Sequence, residues 1–388
     1  MNGKVLMPVF NEIDYDGRVQ RAAEALSQSY QVTVYSVNSG KGYVHPEYSL
    51  ETWDRPIRWK KIHFLVFSLW FIRQSIQNRG SLIYAHDYFM AFPGWLAAKL
   101  TRSKFIYDAH ELIIPDGNEK MGRRQKIFYL LESWVVRRAS RVVAANKERA
   151  DLMKEYYSLK QTPLVIRNIP PISDYESLGE YTSVLDRYKH HESAIKLVYQ
   201  GDMSLERGLK KFILAFKYLP EEFRLFLIGG GTDAPRIEEL IRKEKLTDRI
   251  VMLGKVPRNI LPGLLLHFDV GIISYPYKGL NNIYCAPNKL YEYAQAGLPV
   301  IATGQPPLKY YVSSYEIGLI AEKEEGQPDN DPSQIASLIR EMNPESIAFF
   351  KSNLGAFIRE HTWENEKAVL LTDMSELSYA RTGENYGN

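Results

Sequence analysis

Residues 284–303 read Tyr-Cys-Ala-Pro-Asn-Lys-Leu-Tyr-Glu-Tyr-Ala-Gln-Ala-Gly-Leu-Pro-Val-Ile-Ala-Thr, the pattern of a loop, a short helix and a buried strand. Pro287 suits the first helical position, where a missing N–H costs nothing, and Gly297 followed by Pro299 ends the helix. Leu290, Ala294 and Gly297 recur at i, i+4 and i+7, which gives the helix one small apolar face. Val300-Ile301-Ala302 then continues as a core strand.

The polar side chains of this stretch gather near the start of the helix. Lys289 and Glu292 are three apart and Asn288 and Glu292 four apart, so the three share a face. A helix N-terminus offers free N–H groups and a positive dipole end, which suits an anion such as a diphosphate. Glu292, one turn further on, can accept hydrogen bonds from both hydroxyls of a ribose, because an ionised carboxylate has two acceptor oxygens. Diphosphate and ribose together describe a nucleotide.

Pro287-Asn-Lys-Leu-Tyr-Glu-Tyr293 followed by Ala296-Gly-Leu-Pro-Val-Ile-Ala302 resembles the donor-binding motif of glycosyltransferase family 4, retaining enzymes of the GT-B fold. The resemblance implies an α/β chain of two Rossmann-like doubly wound domains facing a central cleft, with a C-terminal helix crossing back to the first domain. It implies transfer of a sugar from a nucleotide-diphosphate donor, a UDP- or GDP-sugar, to the hydroxyl of a glycan or lipid-linked acceptor, in polysaccharide or lipid-linked glycan synthesis. No cofactor and no metal are implied. In the family a Glu at the place of Glu292 holds the ribose, and an earlier Glu touches the transferred sugar; that earlier position is Tyr284 here.

At 388 residues the chain exceeds one ordinary core and fits two domains of similar size. The expected division is 1–170, a linker over 171–194, 195–360, and a returning helix over 361–380. A net charge of +3 does not mark a nucleic-acid binder without a concentrated basic stripe. Acidic small molecules and an anionic membrane surface remain as partners. Cys285 is the single cysteine, which excludes an intramolecular disulfide and agrees with a reducing compartment. No His flanks it in sequence, and it reads as a space-filling residue ahead of a nucleophile.

The N-terminal apolar run is too short for a signal peptide and reads as a first strand, so a cytoplasmic location is expected. Ile62 to Ile72 is the longest apolar run, broken by His63 and Ser68 and short of the ~20 residues that span a bilayer. With Arg58, Lys60 and Lys61 before it and Arg73 after it, it reads as buried strand-helix core, with an interfacial, peripheral contact on the inner face of the plasma membrane as the alternative. The basic and aromatic stretch from Arg123 to Arg141 is read in the same two ways, as a helix packed on the sheet or as a surface for a lipid-linked acceptor.

Short apolar strands alternate with helical patterns through the first half: Lys4 to Val9, Gln31 to Val37, Ser81 to Ala85, Lys104 to Asp108, Arg141 to Ala144 and Leu164 to Ile166. This alternation predicts a parallel doubly wound sheet, in which ligands bind beyond the carboxyl ends of the strands. Three such ends carry polar clusters. After the first strand, Asp16 is placed as an N-cap, and Asp16-Gly17-Arg18-Val19 resembles the family's N-terminal loop, which puts Gly17 beside the donor and Asp16 and Arg18 on the acceptor side. Asp14 and Asp16 also spell an Asp-x-Asp pair that a different glycosyltransferase fold uses for metal; the doubly wound pattern disfavours that reading.

The third and fourth strands run into His86-Asp87 and Asp108-Ala109-His110-Glu111. The latter resembles the family segment whose His contacts the donor sugar beside the reacting centre, which makes His110 a catalytic candidate. For His86 and Asp87 two readings stay open, acceptor-side groups or partners of a neighbouring loop.

In the second half, Lys196 to Gln200 leads into Gly201-Asp202-Met203-Ser204-Leu205-Glu206-Arg207-Gly208. Arg207, Lys210 and Lys211 fall in the first turns of a helix, where positive charge opposes the dipole and a bound anion would relieve it. The family neutralises the diphosphate with two bases here: Arg207 matches one, and Asp202 stands at the other. The resemblance adds Gly230, in the run Gly229-Gly230-Gly231, as a site of close backbone approach to the nucleotide, and Lys255 and Val256 as neighbours of the base. Arg207, Lys289 and His110 are thus the catalytic candidates, and Trp363 would anchor the final helix. Two other functions fit less of the pattern: a partner subunit that binds nucleotide sugar without catalysis, motivated by Tyr284 and Asp202, and a sugar-nucleotide epimerase of similar fold.

Overall fold

Val5, Leu6, Met7 and Val9 are all buried in the first strand, the mark of a strand covered on both faces. In the computed structural model, which describes residues 3–38, 44–54, 59–78, 82–115, 121–172, 181, 194–322 and 331–379, that strand is central to one of two parallel sheets. The chain divides into a first unit, Met1–Asn168 with Glu364–Asn388, and a second unit, Ile169–Trp363.

The first sheet contains β1 (Lys4–Glu12), β2 (Gln31–Val37), β3 (Ser49–Trp53), β4 (Leu82–His86), β5 (Phe105–Ala109), β6 (Arg141–Ala144) and β7 (Leu164–Val165) in the order β3-β2-β1-β4-β5-β6-β7. The connecting helices are α1 (Gly17–Ser27), α2 (Lys60–Gln77), α3 (Asp87–Thr101), α4 (Arg123–Val136) and α5 (Lys147–Tyr156). The second sheet contains β8 (Ile195–Gln200), β9 (Phe223–Ile228), β10 (Ile250–Gly254), β11 (Val270–Ile273), β12 (Val300–Thr303) and β13 (Gly318–Ala321) in the order β10-β9-β8-β11-β12-β13. Both repeat one topology, in which the order reverses beside the first strand of the unit. The reversal leaves a crevice at the carboxyl ends of β1 and β4, and of β8 and β11.

The second core shows the period of two on which a sheet depends. Leu197, Tyr199, Leu225, Leu227 and Ile301 enter the apolar cluster on one face, and Val198, Phe226, Ile228, Val300 and Ala302 enter the cluster on the other. The second unit's helices include α6 (Leu209–Ala215), α7 (Ala234–Lys243), α8 (Leu261–Leu265), α9 (Leu280–Ile283), α10 (Asn288–Gln295), α11 (Pro306–Ser314), α12 (Pro332–Glu341) and α13 (Pro344–Glu360).

The last helix, α14 (Trp363–Tyr379), carries the chain back to the first unit. Its anchors there are Glu366, which pairs with Arg167 at 2.5 Å, and Asp373, which pairs with Arg141 at 2.7 Å. Tyr30 adds a hydroxyl bond to the Met374 carbonyl at 3.1 Å. Trp363 itself is buried and belongs to the second unit.

Several local readings shift. Residues 62–72 form no strand: all lie within α2. Pro287 is the N-cap of α10 and not its first residue. Arg207 closes a 3-10 turn over Leu205–Arg207, and α6 starts only at Leu209 after Gly208 in a left-handed conformation. Apart from residues 171, 172, 181 and 194, the linker lies outside the described residues.

Candidate functional site

In the second unit α10 is fixed by Tyr293, whose hydroxyl accepts from the Gln200 N–H at 3.0 Å and donates to the Val198 carbonyl at 3.2 Å. Its ring lies where a side chain on Gly271 would otherwise stand, 2.4 Å from the place of a Cβ. The helix ends in a Schellman motif, with Gly297 N–H to Ala294 O at 2.9 Å and Leu298 N–H to Tyr293 O at 2.8 Å. Its start is different. No side chain caps it, so the first N–H groups of this eight-residue helix are left to solvent or a ligand.

Lys289 leaves this end and lies against the end of β8. Its ammonium sits 4.3 Å from the Tyr199 ring centre and 5.7 Å from that of Tyr275. Arg207 lies over the other side of the same cluster, 5.3 Å from the Tyr275 ring centre, and not paired with Glu206. The 3-10 turn that presents it is held by the Ser274 hydroxyl, which donates to the Arg207 carbonyl at 2.8 Å. Burial, followed by the repulsion of Arg207, pushes the Lys289 ammonium down to about 8. Two cations therefore converge on an uncapped helix terminus, and no salt bridge holds either of them among the described residues.

Glu292 lies one turn into α10, half-buried, and accepts a short hydrogen bond from the Gln200 amide. Gln200 is 4% exposed, and its side-chain amide oxygen has no partner among the described residues. It positions the carboxylate, and sequence reading missed it; its place as the last residue of a buried strand is the signal that could have found it. Asn288 is the first residue of the helix, half-buried on the same turn.

The glycine run has a structural cause. A Cβ on Gly229 would stand 1.9 Å from the Gly201 carbonyl, and one on Gly231 would meet the Asp202 carboxylate at 2.6 Å. The loops after β8 and β9 are pressed backbone to backbone, joined by Gly201 N–H to Ile228 O at 2.8 Å and Met203 N–H to Gly230 O at 3.0 Å. Only Gly230 faces a flexible neighbour, the stem of Lys255. Lys255 is exposed and Val256 half-buried directly after Gly254.

In the first unit the ends of β1, β4 and β5 assemble one charged cluster. Asp16 caps α1, accepting from the Val19 N–H at 3.2 Å, so Gly17 is the first residue of that helix. Arg18 points inward: its guanidinium meets Asp108 at 2.6 Å and donates to the Ile166 carbonyl at 2.8 Å, with both side chains buried. Arg18 thus holds Asp108. Asp108 in turn faces two imidazoles, His86 Nδ1 at 3.4 Å and His110 Nε2 at 3.7 Å, and these two nitrogens lie 3.2 Å apart.

The titration directions divide the pair. Burial pushes His86 down, outweighing Asp108, whereas for His110 the hydrogen bond and charge of Asp108 outweigh burial and push it up. The Asp108 carboxyl, although buried, is held well below the usual range by Arg18 and the imidazoles. A proton on the pair is therefore favoured on His110 and disfavoured on His86. The Asp16 carboxylate lies 4.0 Å from His110, and the Arg149 guanidinium donates to the His110 carbonyl at 2.8 Å. Asp87 has φ +64°, a left-handed conformation that Asp adopts more readily than most side chains, and its carboxylate accepts from the next N–H at 2.6 Å; burial pushes its carboxyl up to about 6.

His86, Asp108 and His110 place one ligand atom each within 4.8 Å of one another, close enough to enclose a metal ion. Asp108 is already engaged by the Arg18 fork, however, and a second cation would have to share that carboxylate. The geometry fits a charge-balanced hydrogen-bond network better than a metal centre.

Two sequence families cover these elements: the description "Glycosyl transferase 4-like domain" matches residues 17–168, and "Glycosyl transferases group 1" matches residues 184–344. The chain belongs to the group 1 glycosyltransferases, family 4-like enzymes of the GT-B fold. Among curated proteins it is 24% identical to the amylovoran biosynthesis glycosyltransferase AmsD of Erwinia amylovora, over 76% of this chain and 80% of that one. It is 23% identical to an uncharacterized glycosyltransferase of Methanocaldococcus jannaschii over 49% of this chain, and spans only 46% of that protein's length. Among solved structures, HepE of Anabaena in complex with UDP and glucose superimposes with a TM-score of 0.75 at 17% identity, covering 96% of this chain and 99% of that one. A sucrose-phosphate synthase of Thermosynechococcus elongatus gives 0.76 at 16%, covering 99% and 100%.

Proposed function

We propose that the chain moves a sugar, with retention of configuration, from a UDP-sugar to the hydroxyl of a glycan or lipid-linked acceptor. The observation that carries this reading is the convergence of Arg207 and Lys289 on the uncapped start of α10, with Glu292 one turn further on. Neutralising a departing diphosphate is the main electrostatic demand of such a transfer, and preorganised cations answer it without reorganisation. They also take the part that a metal plays elsewhere, which makes the reading metal-independent. The UDP in the HepE complex and the polysaccharide product implied by the name of AmsD support the donor and the acceptor class.

In this reading the diphosphate sits on the α10 N–H groups, Lys289 and Arg207, and Glu292 receives the ribose hydroxyls with Gln200 fixing its rotamer. Gly230, Lys255 and Val256 line the nucleotide. His110, backed by Asp108, and Gly17 are the first unit's candidates for recognising the transferred sugar. Cys285 is buried, and no other protein nucleophile is assigned; an oxygen of the leaving diphosphate takes the acceptor proton on the same face, which accounts for retention. Asp16, Asp87 and His86 shape the acceptor side.

Calorimetric titration with UDP, GDP, ADP and TDP tests the donor half. UDP is expected to bind, and Arg207→Ala to weaken it; Glu292→Ala should cost roughly 10-fold to 100-fold, the worth of a hydrogen bond to a charged group. Failure of every nucleotide to bind the folded protein would overturn this reading, and binding without transfer to any acceptor would favour the non-catalytic partner subunit. The anomer of the product, read by NMR, tests retention.

A further inference from the structure

α2 is built the wrong way round for a water-facing helix. Its buried side holds Phe67 and Phe71 together with Ser68 and Ser75, whose hydroxyls fold back on the Phe64 and Phe71 carbonyls at 2.7 and 2.9 Å. Its outward side carries Ile62, Leu65 and Leu69, which are 47%, 57% and 58% exposed. α4 repeats the same spacing with Ile127, Leu130 and Trp134, also exposed. Both helices pack on α3, and Phe64, Phe89 and Phe128 join the three through ring contacts of 5.0–6.0 Å. The first unit therefore presents two neighbouring apolar stripes, where an isolated exposed Leu would need no explanation.

The charges of this surface have one sign. Lys61 and Arg73 are exposed on α2, and Arg123, Arg124 and Lys126 on the first turn of α4, while Arg138 stacks 4.0 Å from the Trp134 ring. α2 has no acidic residue, and the one acid of α4, Glu132, is buried between the hydroxyls of Tyr107 and Tyr157. α5, by contrast, exposes Lys147, Asp151, Lys154 and Glu155 and no apolar stripe, as a solvated helix should.

We infer that the outward faces of α2 and α4 dock on an anionic lipid bilayer, lying in its interface plane. Apolar side chains at helical spacing, ringed by Lys and Arg with no acid, are what interfacial insertion needs. A second copy of the chain fits poorly, because a two-fold contact would set each cationic fringe against its own image. No described helix is long and apolar enough to cross a membrane, so the contact is peripheral. This inference stands independently of the donor assignment, which concerns the second unit.

The test is co-sedimentation of the full chain with phosphatidylcholine vesicles, plain or doped with phosphatidylglycerol, at low and high salt. Binding is expected on the doped vesicles, and less of it at high salt. Leu65→Glu with Leu130→Glu should abolish it. Arg123→Ser with Arg124→Ser and Lys126→Ser should weaken it roughly 100-fold, at about fivefold per cation. Unchanged melting of the first unit in both variants shows them folded, and unchanged UDP binding separates this result from the donor reading. Absence of wild-type binding to the doped vesicles at low salt, or equal binding by the variants, would overturn the inference. So would a wild-type dimer that Leu65→Glu dissociates, since a second copy would then cover the face.

Discussion

Lys289 shows how a single side chain couples the electrostatics of the site to its use. Burial and Arg207 hold its ammonium at about 8, down from the usual 10.5, because desolvation and a neighbouring cation outweigh the Glu292 and Asp202 carboxylates. A diphosphate placed there reverses the balance and raises that value. Below pH 8 the ammonium is already formed and UDP affinity should be flat with respect to this group. Above it, binding must take up a proton, and affinity should fall by up to about tenfold per pH unit until the bound-state value is reached. Calorimetry in buffers of different ionisation enthalpy measures that uptake directly. Lys289→Met should bind UDP more weakly and lose the dependence between about pH 8 and 9.5; an unchanged slope in the variant would place the titrating group elsewhere. The placements most legible in sequence were of this kind: Lys289 and Glu292 share a turn of α10 and Arg207 follows β8, all local features. Gln200 and the inward turn of Arg18 toward Asp108 were not legible, since each depends on a partner far along the chain, 92 and 90 residues away.

At the scale of elements, the loops after β8 and β9 give the sharpest contrast between neighbouring positions. Gly229 has φ +137° and lies against the Gly201 backbone, so Gly229→Ala must move one loop or the other. A loss of about 3 kcal/mol is expected, at the upper end for overpacking, with backbone strain added. Gly230→Ala meets only the Lys255 stem, which can swing aside; its urea midpoint should stay near wild type while UDP affinity changes as Lys255 is displaced. Equal loss of stability in both would refute the division of labour between them. The strands themselves were largely readable, because a strand buried on both faces is a short run of Val, Ile, Leu and Phe between turn residues: Arg141–Ala144 forms as the pattern predicts, and Phe223–Ile228 has the same character. β3, with Ser-Leu-Glu-Thr-Trp at the sheet edge, was not; an edge strand has one neighbour and less need of apolar residues. α2 misled for the opposite reason, since apolar residues on its outer as well as its inner side erase the helical period.

At the scale of the whole molecule, the chain leaves the first unit at Asn168 and re-enters it at Glu364, so the first unit is completed only by a segment that follows the whole of the second. The return is fastened by charge. Glu366 is buried and meets both the Arg167 guanidinium and its N–H, and Asp373 meets Arg141. Removing one partner from such a pair strands the other charge in a poorly solvated place, at a cost of about 3–5 kcal/mol for a buried pair and less where the cation keeps some water, as both arginines do here. Glu366→Ala with Asp373→Ala should therefore lower the melting of the first unit by several degrees. UDP, held by residues of the second unit alone in the proposed reading, should bind with unchanged affinity, and at a hundredfold excess over Kd should still contribute about 2.7 kcal/mol to the stability of the unit that holds it. Calorimetric scans of wild type and variant, each with and without UDP, resolve the two effects. A variant that lost UDP binding together with first-unit stability would show that the returning helix serves the donor site as well as the fold of the first unit.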